Sequence, residues 1–321
     1  MTLQQRYGMT VPFAGLPLGE QRDWFRELVD LGYTDVWSSE ADGADAFTPL
    51  TLASVWAPEL RLGTAIVPAY TRGKATLAQS VGSMAQAAPG RFALGIGTSS
   101  NVIVERWNGI PFEEPYAKVR DTLRYLRAAL AGGKVDGGFR LGALPPEGEP
   151  VPILVAALRE GMLRLAGREG DGAIINWLSA DDVATVAPIV RKAAADAGRP
   201  EPEICARIFV APTTDRDTVR SMGKFAIAAY LTVPVYAAFH DWLGRGEQLA
   251  GLHAKWAEGD HKGALEEIPD ELVDQLIVHG SPDEVHEHLQ RYVANGVTTV
   301  ALATLPFGYD LGQAVKDLAP R

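Results

Sequence analysis

The chain has 321 residues, 40 acidic against 30 basic side chains, a net charge of −10 and 47% hydrophobic residues. That composition supplies a large core and argues against nucleic acid or an anionic membrane surface as a partner. The single cysteine, Cys205, rules out an intrachain disulfide and a four-thiolate metal site. No apolar run approaches the roughly 18 residues of a membrane helix. The opening MTLQQRYGMTVPF also lacks the basic-then-apolar layout of a secretion signal. The expectation is a cytoplasmic protein acting on a small molecule, with no metal.

Strand and helix patterns alternate along the whole chain. Tyr7–Phe13 reads as a first strand, followed by a helix over Leu18–Leu31 with Trp24, Phe25, Leu28 and Leu31 at helical spacing and Gly32 as its stop. Asp35–Glu40 is strand two, Thr48–Pro58 a short helix, Leu62–Ala69 strand three, and Ala75–Ala88 a small-residue helix ended by Pro89-Gly90. Phe92–Gly97 is strand four, and Tyr116–Ala131 an amphipathic helix. Gly132–Pro150 is Gly- and Pro-rich and reads as an excursion with room for a small hairpin. Ile153–Ala157, Ala173–Trp177 and Glu203–Val210 are strands five to seven, with helices over Met162–Gly170 and Ala180–Ala197. Thr218–Gly263 is longer than one return helix requires and reads as a helix plus an aromatic insertion. A helix over Pro282–Ala294, strand eight over Thr299–Ala303 and a helix over Leu311–Leu318 finish the chain. Eight strands alternating with helices predict one (β/α)8 barrel domain, with insertions at about 132–150 and 218–280.

The stretch GRFALGIGTSSN, residues 90–101, looks at first like a dinucleotide loop. That loop belongs after the first strand of a βαβ unit, with an acidic strand end about 20 residues later. Here the glycines follow strand four, Ser100 takes the third glycine position, and Glu113 and Glu114 lie among prolines. In a barrel, Gly95 and Gly97 instead end a strand at the C-terminal face, where active sites are built. Gly95 is expected to make room for packing, while Gly97, Thr98 and Ser99 are expected to approach a ligand.

GRFALGIGTS, with LGTAIVPAYTRGKATLAQ before it, VERWNGIPFEEPYAKVRDTLRYLRAAL after it, and VPILVAALREGMLRLAGREGDGAIINWLS further on, resembles the luciferase-like monooxygenase family. The details are most similar to its branch of coenzyme F420-dependent oxidoreductases. The resemblance implies a barrel that binds a reduced deazaflavin, with FMN as the alternative cofactor, and a homodimer. It places a non-proline cis peptide at Ala65-Ile66 behind the ring; an ordinary trans strand is the other possibility. It puts the cofactor's phosphate at the helix start after strand five, on the amides of Glu160, Gly161 and Met162 beside Ala157. Arg159 there is either an added charge-assisted contact or a solvated surface side chain. Thr98 and Ser99 would face the ribityl chain. Asn176, polar in the apolar run AIINWL, would offer its amide to the ring or serve a structural hydrogen bond.

Glu40, at the end of strand two beside Trp37 and Ser39, is the candidate proton-transfer residue; a salt bridge or a capping role near Asp42 and Asp45 is the alternative. In the resemblance, an acid at this position lies by the ring's reactive edge. The sugar-phosphate dehydrogenases of the branch carry a histidine where Ala41 stands and a glutamate where Ser100 stands, so that chemistry is not expected. Tyr230 and Tyr236 of the insertion, with Trp37, are the candidate substrate pocket. His240, His253, His261, His286 and His288 show no metal spacing. Three functions follow: hydride transfer between reduced deazaflavin and a small organic substrate, an FMN-dependent monooxygenase, or a flavin-binding barrel without turnover.

Overall fold

The computed structural model describes residues 4–321. Ten strands form one sheet: β1 (Arg6–Thr10), β2 (Asp35–Ser38), β3 (Arg61–Thr64), β4 (Val67–Pro68), β5 (Phe92–Gly97), β6 (Ile153–Ala156), β7 (Gly172–Asn176), β8 (Glu203–Ala211), β9 (Ile277–His279) and β10 (Thr299–Thr304). Eight of them, in the order β1-β2-β3-β5-β6-β7-β8-β10 and back to β1, close a parallel barrel. The short β4 pairs with β5 and β9 with β8. Strands such as FALGIG in β5 are buried along their whole length, because helices cover the outer face and side chains fill the inner one.

The surrounding helices are α1 (Arg22–Asp30), α2 (Phe47–Trp56), α3 (Lys74–Ala87), α4 (Pro115–Leu130), α5 (Glu160–Arg168), α6 (Ala180–Asp196), α7 (Arg216–Leu231), α8 (Pro234–Trp242), α9 (Gly246–Glu258), α10 (His261–Glu266), α11 (Asp270–Leu276), α12 (Pro282–Ala294) and α13 (Leu311–Asp317). Local chemistry fixes several starts. Ser179 with Asp182, and Ser281 with Glu284, form reciprocal capping boxes at α6 and α12. No single helix among the described residues is long and apolar enough to cross a membrane.

Some boundaries differ from the sequence expectation. Strand three is broken into β3 and β4 around Ala65-Ile66, whose peptide bond is cis. Residues 132–150 contain no strand, so the expected hairpin is absent; a 3-10 turn at Asp136–Gly138 with two left-handed glycines takes its place. The long helical stretch is five helices, α7 to α11, with α7 and α8 meeting at 102°. A helical turn over Val102–Trp107, opened by the Ser100 hydroxyl accepting from the Ile103 amide, was not anticipated.

Inside the barrel, side chains lie in tiers set by the two-residue alternation of the strands. At the N-terminal end, Arg61 holds Glu203 with two contacts of 2.8 Å and Asp35 at 3.3 Å. Above them Trp37 fills the centre, packed with Ala93, Leu154, Ile174, Cys205 and Ala301. A side chain at Gly63 would overlap its ring, which is why glycine is needed there. The next interior positions are Thr10, Asn176 and Arg207, at the C-terminal mouth.

Candidate active site

The mouth is assembled from the C-terminal parts of seven strands, β1, β2, β3, β5, β6, β7 and β8, and from α7 and α8. β2 stops at Ser38, so Ser39 and Glu40 extend over the rim. The Glu40 amide donates to the Ile66 carbonyl (3.1 Å), tying this carboxylate to the bulge at Ala65-Ile66. Both bulge residues are half-buried and cap the interior cluster. The salt-bridge alternative for Glu40 is realised, with Arg72: its Nε donates to Oε1 at 3.1 Å and its Nη2 also contacts that oxygen. Asp45, one of the two other acids considered, accepts from the Phe47 and Thr48 amides at the start of α2. Beside Glu40 a cleft of about 560 Å3 is lined by Ala41, Pro68, Thr71, Arg72 and Ile103. A second cavity, of about 330 Å3, lies at the opposite end of the barrel near Arg6, Tyr33 and Arg91, away from this machinery.

Gly97 is not a bare surface for a ligand. A Cβ there would stand 2.7 Å from that of Ala156 and 3.2 Å from Ile66, so packing accounts for it, as it does for Gly95. Thr98 and Ser99 remain half-buried on the rim, Ser99 with a left-handed φ of 61°. Ala157 is buried and its amide already donates to the Ile174 carbonyl, which makes it wall rather than donor. The helix start that follows is open. No side chain caps α5, Arg159 and Glu160 are exposed, Met162 is half-buried, and nothing lies within 4 Å of where a Cβ of Gly161 would be. The amides of residues 160–162 therefore face outward from a helix N-terminus, the positive end of its dipole.

On the other side of the mouth lies an aromatic cluster, with Trp177 and Phe209 buried and Tyr230 and Tyr236 packed against them. Trp177 stacks on Phe209 (4.0 Å between ring centres) and contacts Tyr230 (4.8 Å), which meets Tyr236 edge-on (5.4 Å, 86°). Tyr230 and Tyr236 thus lie together. Trp37 does not join them; it is fully buried below as the barrel's plug. Trp177 has a φ of 51°, an uncommon backbone for a bulky residue and one that gathers at functional sites. His240, buried under this cluster, contacts the Trp177 carbonyl through Nε2 at 3.0 Å. Burial, reinforced by nearby Arg245, lowers its pKa to about 4, so the ring is neutral and structural at neutral pH.

Asn176 Nδ2 donates to the Tyr236 hydroxyl (3.1 Å), while its Oδ1 is buried and has no partner among the described residues. Burial, with Tyr230 alongside, pushes the Tyr236 phenol up to about 12. Thr10 Oγ1, Arg207 Nε and Trp177 Nε1 are likewise buried without a described partner. Buried polar atoms are nearly always paired. The Asn176, Thr10 and Trp177 orphans at one barrel mouth suit a ligand with its own donors and acceptors, such as a flavin or deazaflavin ring. Arg72, Thr10, Trp177 and Arg207 escaped the sequence reading. Arg207 had a signal: it is the one cation in the apolar run ICARIFVA, in phase with interior Cys205.

The family model described as luciferase-like monooxygenase matches residues 2–299. The 5,10-methylenetetrahydromethanopterin reductase of Methanolobus tindarius is 26% identical over 297 residues, covering 89% of this chain and 90% of that protein. The F420-dependent glucose-6-phosphate dehydrogenase of Kineococcus radiotolerans is 27% identical over 307 residues, covering 87% and 85%. The fold matches that of the coenzyme F420-dependent tetrahydromethanopterin reductase from Methanopyrus kandleri with a TM-score of 0.80, covering 98% of this chain and 97% of that one at 20% identity.

Proposed function

The chain belongs to the luciferase-like monooxygenase family, and from that premise we propose that it is an F420-dependent oxidoreductase acting on a small organic substrate. The observation that carries this proposal is a convergence at one rim: the Ala65-Ile66 bulge, a carboxylate tethered to it, and an uncapped helix start at Gly161. The F420 dependence named for a relative at 27% identity supports the deazaflavin over FMN.

In this proposal the bound deazaflavin supplies or accepts the hydride. Ala65 and Ile66 would support the ring from behind, and Asn176 Oδ1, which lacks a partner among the described residues, would be free to accept a hydrogen bond from it. The amides of residues 160–162 receive the phosphate, with Thr98 and Ser99 along the connecting chain. Glu40 carries the proton that accompanies hydride transfer, oriented by Arg72. Tyr230, Tyr236 and Trp177 exclude water. Ala41 and Ser100 depart from the proton-transfer groups of the sugar-phosphate dehydrogenases, which directs the proposal to a different substrate from that relative's.

Titration of the purified protein with oxidised F420 and with FMN, read by cofactor fluorescence, is the test. Quenching of F420 at low micromolar protein, with FMN unaffected, is expected. Saturable FMN binding without F420 binding would reverse the cofactor assignment and favour the monooxygenase.

A further inference from the structure

We propose that Arg207 is the recognition group for a planar oxyanion, a carboxylate carried by a flat apolar substrate. Arg207 lies on β8 in phase with Glu203 and Cys205, so its side chain enters the barrel. Its register partner on β7 is Asn176, the last residue of that strand, which places it toward the mouth. Three other arginines with little exposure have counter-charges: Arg61 has Asp35 and Glu203, Arg72 has Glu40, and Arg245 has Asp182, while half-buried Arg91 has instead the Leu60 carbonyl. Arg207 makes no ion pair with any described residue, and its Nε is buried without a partner. Its guanidinium carbon lies over the face of Phe209, 4.9 Å from the ring centre.

A half-buried cation without a counter-ion costs stability, and the position makes chemical sense if the counter-ion arrives with a ligand. Three features define that ligand. The guanidinium fork matches a planar, two-oxygen anion. Phe209 continues into Trp177, Tyr230 and Tyr236, so the body next to the anion is flat and apolar. One guanidinium in a chain of net charge −10 balances one negative charge, which favours a carboxylate over a phosphate dianion. The proposal rests on this mouth being the reaction chamber. The same planar oxygen chemistry exists on the cofactor's own ring, and the experiment separates the two sources.

Benzoate and its neutral counterpart benzamide are titrated calorimetrically into the wild type, Arg207→Gln and Arg207→Lys, each with and without bound F420. The wild type is expected to bind benzoate at least about tenfold more tightly than benzamide. Arg207→Gln should lose that preference, with F420 affinity within about threefold of wild type, while Arg207→Lys should keep part of it. Equal binding of the two compounds, or benzoate binding unaltered in Arg207→Gln, would overturn the proposal. So would a tenfold loss of F420 affinity in Arg207→Gln with benzoate binding retained, since that assigns the guanidinium to the cofactor. Absence of F420 binding by the wild type would instead count against the proposed function, leaving the benzoate comparison on the unliganded protein intact. Circular dichroism melts confirm that each variant is folded.

Discussion

Two arginines enter the same barrel at opposite ends, and replacing each by methionine should shift stability differently. At the N-terminal end, Arg61, Glu203 and Asp35 have side-chain exposures of 10%, 12% and 0%. Arg61→Met leaves two carboxylates buried, with only the more exposed Arg6 still near Asp35 at 3.1 Å. Stranding one partner of a buried pair costs about 3–5 kcal/mol. At about 2.1 cal/mol/K per residue of unfolding entropy, that is a fall of roughly 4–7 °C in Tm for a chain of this length. The pH dependence carries a sign. Burial alone would raise the Glu203 pKa, but the hydrogen bonds and charge of Arg61 outweigh it and hold it below the ordinary value. In the wild type this contribution is complete above the unfolded value of about 4.5 and is lost as pH falls through the lower folded value. Without Arg61 the burial effect wins, the folded pKa rises above the unfolded one, and protonation relieves the variant in acid. The gap between the two proteins should therefore narrow from pH 7 toward pH 4.5. Melting curves by circular dichroism would refute this reasoning if the gap at pH 7 is under about 1 kcal/mol, or does not narrow. At the mouth, Arg207→Met removes a cation with no described counter-charge and should leave Tm unchanged or higher.

Glu40→Gln should lower turnover by about 10²–10⁴-fold while F420 affinity stays near wild type, measured by steady-state kinetics and fluorescence titration; unaltered turnover would remove Glu40 from the mechanism. His240, with its pKa lowered to about 4, is neutral in the fold, so its contribution is complete above the unfolded value of 6.5 and is lost as pH falls toward 4. That loss amounts to about 3 kcal/mol. His240→Phe should flatten the decline in Tm between those pH values, although His288, also lowered to about 4, will preserve some slope. Tyr236→Phe removes the acceptor of the Asn176 amide, leaving both ends of that side chain unpaired, and should cost about 1–3 kcal/mol. Equal melting temperatures for the two proteins would show that water replaces the phenol.

The order of strands and helices was legible in the chain because each barrel unit is local: a short apolar run, a turn, then a helix with one apolar stripe. For the same reason GRFALGIGTS and AALREGML could be placed on strand ends from their neighbours alone. Which face of a strand a residue presents, and what stands opposite, depends on closure and register, which join positions far apart in sequence. Glu40 could be named as a candidate, but its partner Arg72 lies 32 residues away across the rim. Trp37 and Gly97 looked like pocket residues, yet closure of the barrel turned one into its plug and packed the other against Ala156 and Ile66. Arg207 stood in an apolar strand as a cation whose counter-charge could have been anywhere in the chain. Only the closed barrel, by bringing β7, β8 and β10 side by side, left it without one among the described residues.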